Sequence, residues 1–243
     1  MLRIFRAIRA RMLKEGKVSG YLAYAVGEIF LVVIGILIAL QVSAWNEQRK
    51  IGISETKILE SIRISLINDS SEYRRAQLRI ATNNRSIILL LRHPPVHDSL
   101  TNHFANSLGG VFVNIRTSAF EQLRSLGLER IQNPALRDSL VRHYDEYVKT
   151  GTERIDRNLE FYLNEFQYPY YEKHLLFAAK DSNFSAVTYL PKDYDALINS
   201  PEFHSILVEK WIFNAQTSED IIAKLQRKTR TLLAQIDVEL EEK

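Results

Sequence analysis

The hydrophobic pattern of this 243-residue chain begins with one long apolar stretch. Residues 21–44 read YLAYAVGEIFLVVIGILIALQVSA, in which Glu28 is the one charged residue. A helix of this length extends about 36 Å, enough to cross a hydrocarbon core of about 30 Å. The basic residues before it and Trp45 after it are typical of a membrane-spanning helix, whereas a buried soluble helix is the alternative. We therefore predict a transmembrane helix over 21–44.

The charges around this stretch predict its direction. Residues 1–20 hold six basic residues and one acidic residue, whereas residues 45–243 hold 26 basic and 27 acidic residues. Because cytoplasmic flanks carry the excess of Lys and Arg, the N-terminus is expected in the cytoplasm and residues 45–243 on the other side. The formal net charge of +3 thus comes from the first segment, and no basic stripe remains to bind nucleic acid.

Two features of the N-terminal part leave alternatives open. Residues 1–20 place apolar and arginine residues at helical spacing, which predicts a basic amphipathic helix on the cytoplasmic leaflet, or else charges that only set the topology. Val42-Ser43-Ala44 has the small residues of a signal-peptide cleavage site, and a mitochondrial presequence is a third reading. The apolar stretch is longer than a typical signal peptide, which favours an uncleaved anchor.

Glu28 is the costly residue of the membrane segment. An acid near the bilayer centre costs about 2.5 to 3.5 kcal/mol, so such a residue is usually paired, protonated or close to the headgroups. At 100° per residue, Gly35 and Ala39 lie on the same helical face as Glu28. Their small-x-x-x-small spacing allows another helix to approach closely. We predict an intramembrane interface at Glu28, Gly35 and Ala39; the alternative is that Glu28, about two turns inside the cytoplasmic boundary, reaches the headgroups or is protonated.

Beyond the membrane segment, apolar residues recur every three or four positions in three long stretches, which predicts helices. The first stretch ends at His93-Pro94-Pro95, and Asn133-Pro134 and Ser200-Pro201 begin the other two. The predicted inward positions are Ile58, Ile62, Leu66, Tyr73, Ala76, Ile80, Ile87 and Leu91; Leu136, Leu140, Tyr144, Val148, Ile155, Leu159, Tyr162 and Phe166; and Phe203, Leu207, Trp211, Ile222, Leu225, Thr229, Leu232, Ile236 and Leu240.

Two short helices are predicted between the first two long ones. Asp98-Ser99 is expected to cap one of them, and a capping box at Ser118–Glu121 to begin the other, which Gly127 ends. Residues 111–115 are the best candidate for a strand. The predicted fold is all-α: one N-terminal transmembrane helix, then an antiparallel helical bundle of long helices with short connectors over residues 45–243.

Candidate chemistry is sparse in this sequence. The absence of cysteine excludes disulfides, thiolate metal sites and cysteine nucleophiles, and no phosphate-binding glycine loop, nucleophile elbow or zincin motif occurs. No histidine follows a glutamate at the Glu-x-x-His spacing of di-iron bundles. His93, His97 and His103 could bring two ligands to one metal, but ordinary loop histidines are the simpler interpretation. We therefore predict no catalytic residue, no metal site and no cofactor.

The residues of the anchor also carry a resemblance. The strings YLAYAVGEIFLVVIGILIALQ (21–41) and WNEQRK (45–50) resemble a family of single-pass membrane proteins of Bacteroidetes that has no assigned activity. The similarity extends to residues 98–104, 117–128 and 133–137, and therefore covers most of the chain. This chain departs from the family at Ser43-Ala44, where members often carry asparagines, and at Phe120, where they carry tyrosine. The resemblance implies a bacterial inner membrane with residues 45–243 in the periplasm.

These observations lead to an expected function. We expect a membrane-anchored periplasmic interaction or scaffold module without enzymatic activity, whose partners are the lipid bilayer and an envelope protein or a second copy bound through the transmembrane helix. The alternative is a small-molecule sensor that signals through a partner, because residues 1–20 are too short for a cytoplasmic output domain. An enzyme is the third possibility.

Overall fold

A computed structural model describes residues 18–97, 99–179 and 187–242. The predicted amphipathic helix before residue 18 and the predicted cap residue Asp98 lie outside them. Most of the described residues are helical, which confirms the all-α fold class. The chain divides into two compact units, Met1–Ser54 and Glu55–Lys243.

Helix α1 runs from Val18 to Leu91, so the predicted membrane helix and the helix that ends before His93 are one element. The later elements are α2 (Leu100–Leu108), α3 (Ser118–Leu126), a 3₁₀ turn (Leu128–Arg130), α4 (Pro134–Val141), α5 (Lys149–Tyr162), α6 (Tyr168–His174), β1 (Leu175–Ala179), β2 (Val187–Pro191), α7 (Tyr194–Ile198), α8 (Pro201–Gln216) and α9 (Ala223–Glu241).

Wider π-helical turns join some of these helices end to end. They lie at Arg142–Val148 between α4 and α5, at Leu163–Gln167 between α5 and α6, and at Thr217–Ile222 between α8 and α9. Residues 134–174 and 201–241 are therefore two long, almost continuous helical stretches, as the apolar spacing predicts.

The described part of the first unit is the beginning of α1. This helix is long and apolar enough to cross a membrane, and its apolar segment is not buried by any of the described residues. From Val26 to Trp45, every described side chain except that of Glu28 is exposed. A core helix of a soluble domain would instead bury an apolar face.

In the second unit, the buried apolar residues of the described chain form three clusters, which we call the first, middle and last layers in their order along α1. Ile62 of α1 shares the first layer with Leu140 and Leu232. Ile87 shares the last layer with Tyr162 and Leu207. From the first layer to the last, residue numbers therefore rise along α1 and along residues 134–174, whereas they fall along residues 201–241. The third long stretch is antiparallel to the other two, and those two run in the same direction.

Residues 92–133 connect the end of α1, at the last layer, to the start of the second long stretch, at the first layer. They therefore run back along the bundle. Within them, residues 109–117 form neither a helix nor a strand and accept hydrogen bonds from α1 side chains. Asn83 Nδ2 donates to the Gly109 carbonyl at 2.8 Å, and Arg79 donates to the Phe112 carbonyl at 3.1 Å. Side chains of α1 thus satisfy the backbone carbonyls of Gly109 and Phe112, and the strand candidate at 111–115 forms no strand.

The described strands lie elsewhere, in an antiparallel hairpin that pairs Leu175 with Pro191 and Ala179 with Val187. Its second strand packs against α2. The spacing of apolar residues did not predict this hairpin, because Leu175 is buried whereas both Leu176 and Phe177 are exposed, so the segment lacks the alternation of a half-buried strand.

Two predicted inward residues are exposed, and polar residues take their places. Phe166 is 43% exposed whereas Gln167 is buried, because the π turn at Leu163–Gln167 rotates the helix relative to regular α-helical spacing. Trp211 is also 43% exposed, since α8 turns Lys210 into the core instead.

Two of the predicted N-caps, Asn133 and Ser200, are confirmed, whereas the predicted capping box at Ser118 is not. Asn133 Oδ1 accepts from the backbone of Ala135 and Leu136, and Ser200 Oγ accepts from Phe203, as N-cap residues do. The capping box at Ser118 is wrong. Helix α3 already includes Ser118, and its N-cap Thr117 uses its backbone carbonyl, not its side chain, to bind the Glu121 N–H.

Candidate functional site

The predicted intramembrane residues lie on a regular stretch of α1. At 100° per residue, Glu28, Gly35 and Ala39 lie within about 40° of one another around the helix axis. A Cβ atom added at Gly35 would meet nothing within 4 Å, and Ala39 is exposed. The helix therefore carries an acid and two small residues on one face, which is open at Gly35 and Ala39.

A second site lies inside the bundle, where four polar side chains meet between the first and middle layers. We call Asp69, Tyr73, Tyr144 and Thr229 the buried polar cluster; each of them is at most 4% exposed. Asp69 Oδ1 accepts a 3.0 Å hydrogen bond from the Arg116 backbone N–H. The Tyr73 hydroxyl lies next to that of Thr229, whereas Asp69 Oδ2 and the Tyr144 hydroxyl have no hydrogen-bond partner among the protein groups of the described chain.

The electrostatics of this cluster follow from its burial. Desolvation raises the pKa of Asp69 to about 6, although the Arg116 N–H lowers it. Burial also raises the pKa of Tyr73 and Tyr144 far above the ordinary value, and the charge of Asp69 adds to both shifts. Both phenols therefore stay neutral, and Asp69 is the cluster member that titrates near neutral pH.

A π-helical turn positions Tyr144 in this cluster. The turn Arg142–Val148 buries two consecutive aromatic residues, His143 and Tyr144, whose rings meet edge to face at 5.0 Å. Phe120 stacks on the other side of Tyr144 at 4.4 Å. Burial lowers the pKa of His143 to about 4, so this imidazole is neutral at physiological pH. Such turns are frequent at functional sites.

Sequence reasoning identified Tyr73, Tyr144 and Thr229 only as core positions and missed Asp69 and His143. A signal was present for Asp69, since it lies four residues before Tyr73 and therefore on the same helical face. No local signal marks His143, because regular α-helical spacing buries Tyr144 but leaves its neighbour at the side of the helix.

The histidines near the end of α1 pair differently from the expectation. His97 Nδ1 lies 2.8 Å from Ser99 Oγ, and His103 Nδ1 lies 3.1 Å from Ser86 Oγ. His93 instead meets His204, which is 111 residues away in sequence. Among the described residues, no group of three or more histidine, aspartate or glutamate side chains is placed to hold a metal ion.

Lys210 is a third polar group in the core, in the part of α8 that borders the last layer. Its Nζ is buried without a hydrogen-bond partner among the described residues and lies 5.1 Å from the centre of the Tyr162 ring and 5.3 Å from that of Phe213. Burial lowers the pKa of Lys210 to about 8. The aromatic faces partly compensate the buried charge.

Surface grooves of the bundle are open to solvent. One of about 140 Å³ lies between the π turns at Arg142–Val148 and Thr217–Ile222, with Gly151 in its wall. A wider one of about 690 Å³ lies between α4 and α9 and is bordered by Arg230 and Val238. Ligand sites typically measure about 300 to 1,000 Å³ and enclose most of the ligand, so the first groove is too small and the second lacks an enclosing wall.

Comparison with known proteins identified no relative of this chain. No protein-family profile, curated protein or solved structure matches the chain. The resemblance to the Bacteroidetes membrane family therefore stays a prediction.

Proposed function

We propose that this chain is a single-pass membrane protein whose N-terminal helix anchors a non-enzymatic helical interaction module. One observation carries the proposal: the apolar segment of α1 leaves its apolar side chains exposed, and the small residues Gly35 and Ala39 lie open on the helical face that also carries Glu28. An apolar helix without protein contacts is stable in lipid but costs free energy in water. A carboxylate within that helix is stabilised by a neighbouring helix that shelters it.

The proposed location is a bacterial inner membrane, with the N-terminus in the cytoplasm and the bundle in the periplasm. The support is the excess of basic residues in 1–20 and the near neutrality of the remainder. The resemblance noted for the anchor agrees with this orientation. Reporter fusions at either terminus test it: a C-terminal alkaline phosphatase is expected to be active and a C-terminal fluorescent protein dark, whereas the reverse pattern would reject the orientation.

The proposed interface is the face with Glu28, Gly35 and Ala39, and its partner is a second copy or another envelope protein. Gly35 and Ala39 have no large side chain to hold a neighbouring helix at a distance. Close approach of that helix excludes lipid from around Glu28. A helix from either kind of partner can place polar groups next to Glu28 within the membrane, whereas lipid chains have none.

The chain offers a matched pair of glycines to test this interface. Both Gly27 and Gly35 leave at least 4 Å of open space around an added Cβ, but Gly27 lies about 80° away around the helix. Association of the full chain is measured in bilayers by energy transfer between labelled copies and by co-purification from native membranes with mass spectrometry. Gly35→Leu and Glu28→Leu are expected to reduce the retained partner at least fivefold, whereas Gly27→Leu leaves it unchanged. Equal retention by all three variants would reject the interface.

The buried polar cluster favours a sensor as the second candidate function. Buried polar atoms are usually hydrogen-bonded, so Asp69 Oδ2 and the Tyr144 hydroxyl, which have no protein partner among the described residues, suit a small polar ligand or a proton. A thermal-shift screen of the full chain in detergent tests this, because a ligand at one hundred times its dissociation constant adds about 2.7 kcal/mol of stability. Tyr144→Phe is expected to abolish any such shift, and a uniformly flat screen counts against the sensor.

A further inference from the structure

Two histidines converge on one point at the surface of the bundle. His93 follows α1, and His204 lies in the first turn of α8. Their Nε2 atoms are 3.1 Å apart, and their ring centres are 4.8 Å apart at a tilt of 53°. His204 Nε2 also lies 2.8 Å from the backbone carbonyl oxygen of Ile198. Two electron-pair donors, His93 Nε2 and the Ile198 oxygen, thus lie within hydrogen-bond distance of His204 Nε2.

Hydrogen bonds alone cannot pair His93 Nε2, His204 Nε2 and the Ile198 oxygen well. A neutral imidazole carries one N–H. If His204 Nε2 carries it, the hydrogen must be shared between the Ile198 oxygen and His93 Nε2, which weakens both bonds. If His93 carries it and donates to His204, the lone pair of His204 Nε2 faces the carbonyl oxygen at 2.8 Å. A cation bound to these atoms would accept their lone pairs and would remove the conflict.

The spacing matches two nitrogen ligands of one metal ion. With metal–nitrogen bonds of about 2.05 Å, two nitrogen atoms 3.1 Å apart subtend about 98° at the metal. This angle is nearer to the 90° of square-planar or octahedral coordination than to the tetrahedral angle of zinc. Imidazole nitrogen together with oxygen ligands in such geometries is typical of Cu²⁺ and Ni²⁺.

The surrounding hydrogen bonds hold the three donors in place. The Tyr194 hydroxyl donates to the Pro94 carbonyl and so ties the turn that carries His93 to α7. Ser200 caps α8 from the loop between Ile198 and His204. His93 itself has a left-handed backbone (φ 51°) and an exposed side chain, so an ion with bound water can reach the site from solvent.

We propose that His93, His204 and the Ile198 carbonyl oxygen form a surface site for one divalent copper or nickel ion. The pair was not predictable from the sequence, since 111 residues separate the histidines. Water completes the coordination shell, because the exposed side of His93 faces solvent. The site is distinct from the intramembrane face and from the buried polar cluster, so it does not depend on the proposed function.

Copper binding to the full chain in detergent micelles tests this site. Cu²⁺ is titrated by calorimetry, and electron paramagnetic resonance counts the coordinated nitrogens. The variants are His93→Asn, chosen because asparagine tolerates the left-handed backbone, and His204→Gln. The control is His97→Gln, since His97 is exposed and contacts Ser99 instead of the pair. We expect a site with two imidazole nitrogens in the wild type, affinity at least tenfold lower in either pair variant, and no change in the control.

Several outcomes would overturn the proposal. These are no saturable Cu²⁺ or Ni²⁺ binding by the wild type at micromolar concentrations, unchanged affinity in both pair variants, or an equal loss in His97→Gln. Circular dichroism of each variant identifies a loss of binding that comes from unfolding. His204→Gln also removes a contact with Ile198, so if it unfolds, His93→Asn decides the test alone, because His93 is exposed.

Discussion

The backbone N–H of Arg116 donates a 3.0 Å hydrogen bond to Oδ1 of Asp69, a carboxylate that is only 1% exposed. This bond joins Arg116, near the end of the irregular segment 109–117, to α1 and holds the chain close to the first layer. The other oxygen of Asp69 is buried beside Tyr73 and Tyr144, which are both neutral. The carboxyl is therefore useful as an acceptor, whereas its negative charge is costly.

Asp69 is expected to make stability depend on pH. The native carboxyl holds its proton up to about pH 6, whereas the unfolded one loses it near pH 3.8. Between these values the native state binds more protons, so the contribution of Asp69 to the free energy of unfolding falls as pH rises, by about 3 kcal/mol in total. Asp69→Asn keeps the acceptor for Arg116 without the charge. Its stability relative to the wild type is expected to be near zero at pH 4 and to rise to about 3 kcal/mol by pH 7.

Urea unfolding of the full chain in detergent, followed by circular dichroism at several pH values, measures this difference. The control is Asp138→Asn, because Asp138 is exposed on α4 and its removal leaves the cluster intact. A difference between Asp69→Asn and the wild type that is constant from pH 4 to 8 would refute the assignment.

Lys210 is expected to destabilise the bundle at neutral pH. Its native pKa of about 8 lies below the ordinary value of 10.5, so the unfolded state binds more protons between these values and stability rises with pH. Lys210→Met removes the buried charge and keeps the shape. We expect a gain of about 2 kcal/mol at pH 7, after a loss of about 1 kcal/mol in ring contacts, and little gain by pH 10. Lys149→Met, on an exposed lysine, is the control; a destabilised Lys210→Met protein at pH 7 would contradict the prediction.

Asn133 stabilises the bundle through two different bonds. Its Oδ1 caps α4, and its Nδ2 donates to Glu239 Oε2 at 2.7 Å on α9. Asn133→Ala removes both and is expected to cost about 2 kcal/mol, whereas Asn133→Ser retains the cap and costs about 1 kcal/mol. Thermal unfolding separates the two variants. Equal melting temperatures for the two variants would show that the cap contributes nothing, and equal melting temperatures for Asn133→Ser and the wild type would show that the bond to Glu239 contributes nothing.

Gly127 is expected to resist substitution. It ends α3 with φ 100° and ψ 126°, a conformation that side chains rarely adopt, so Gly127→Ala is expected to cost about 1 to 3 kcal/mol. Gly109 follows α2 in the same way but has φ −56°, and the nearest atom to an added Cβ is 3.5 Å away. Gly109→Ala is therefore expected to change stability by less than about 1 kcal/mol. Similar melting temperatures for the two variants would contradict this account.

The sequence predicted the parts of this fold that depend on local signals. Asn133-Pro134 and Ser200-Pro201 identify helix starts because capping uses residues that are adjacent in the chain. The apolar stretch of α1 is equally local. The direction of the second long stretch was not predictable, since it depends on bonds such as Asn83 to Gly109 that join distant residues.

The polar groups of the interior were the least predictable part. A lysine at position 210 or a histidine at 143 reads as a surface residue, and only tertiary packing buries it. Gln167 is buried because a π turn changes the helical phase before it. The pair of His93 and His204 forms only because the end of α1 meets the start of α8. That Glu28, Gly35 and Ala39 share a helical face was predictable because one uninterrupted helix carries all three.

The π turns at Arg142–Val148 and Thr217–Ile222 have a consequence for the evolution of this chain. Each contains wider i→i+5 turns, which accommodate an additional residue without changing the direction of the helix. Deleting one residue there would restore a plain α-helix while the flanking apolar residues keep facing the core. Alignments of relatives are therefore expected to show single-residue gaps at these two places, in the middle of long helices where gaps are otherwise rare.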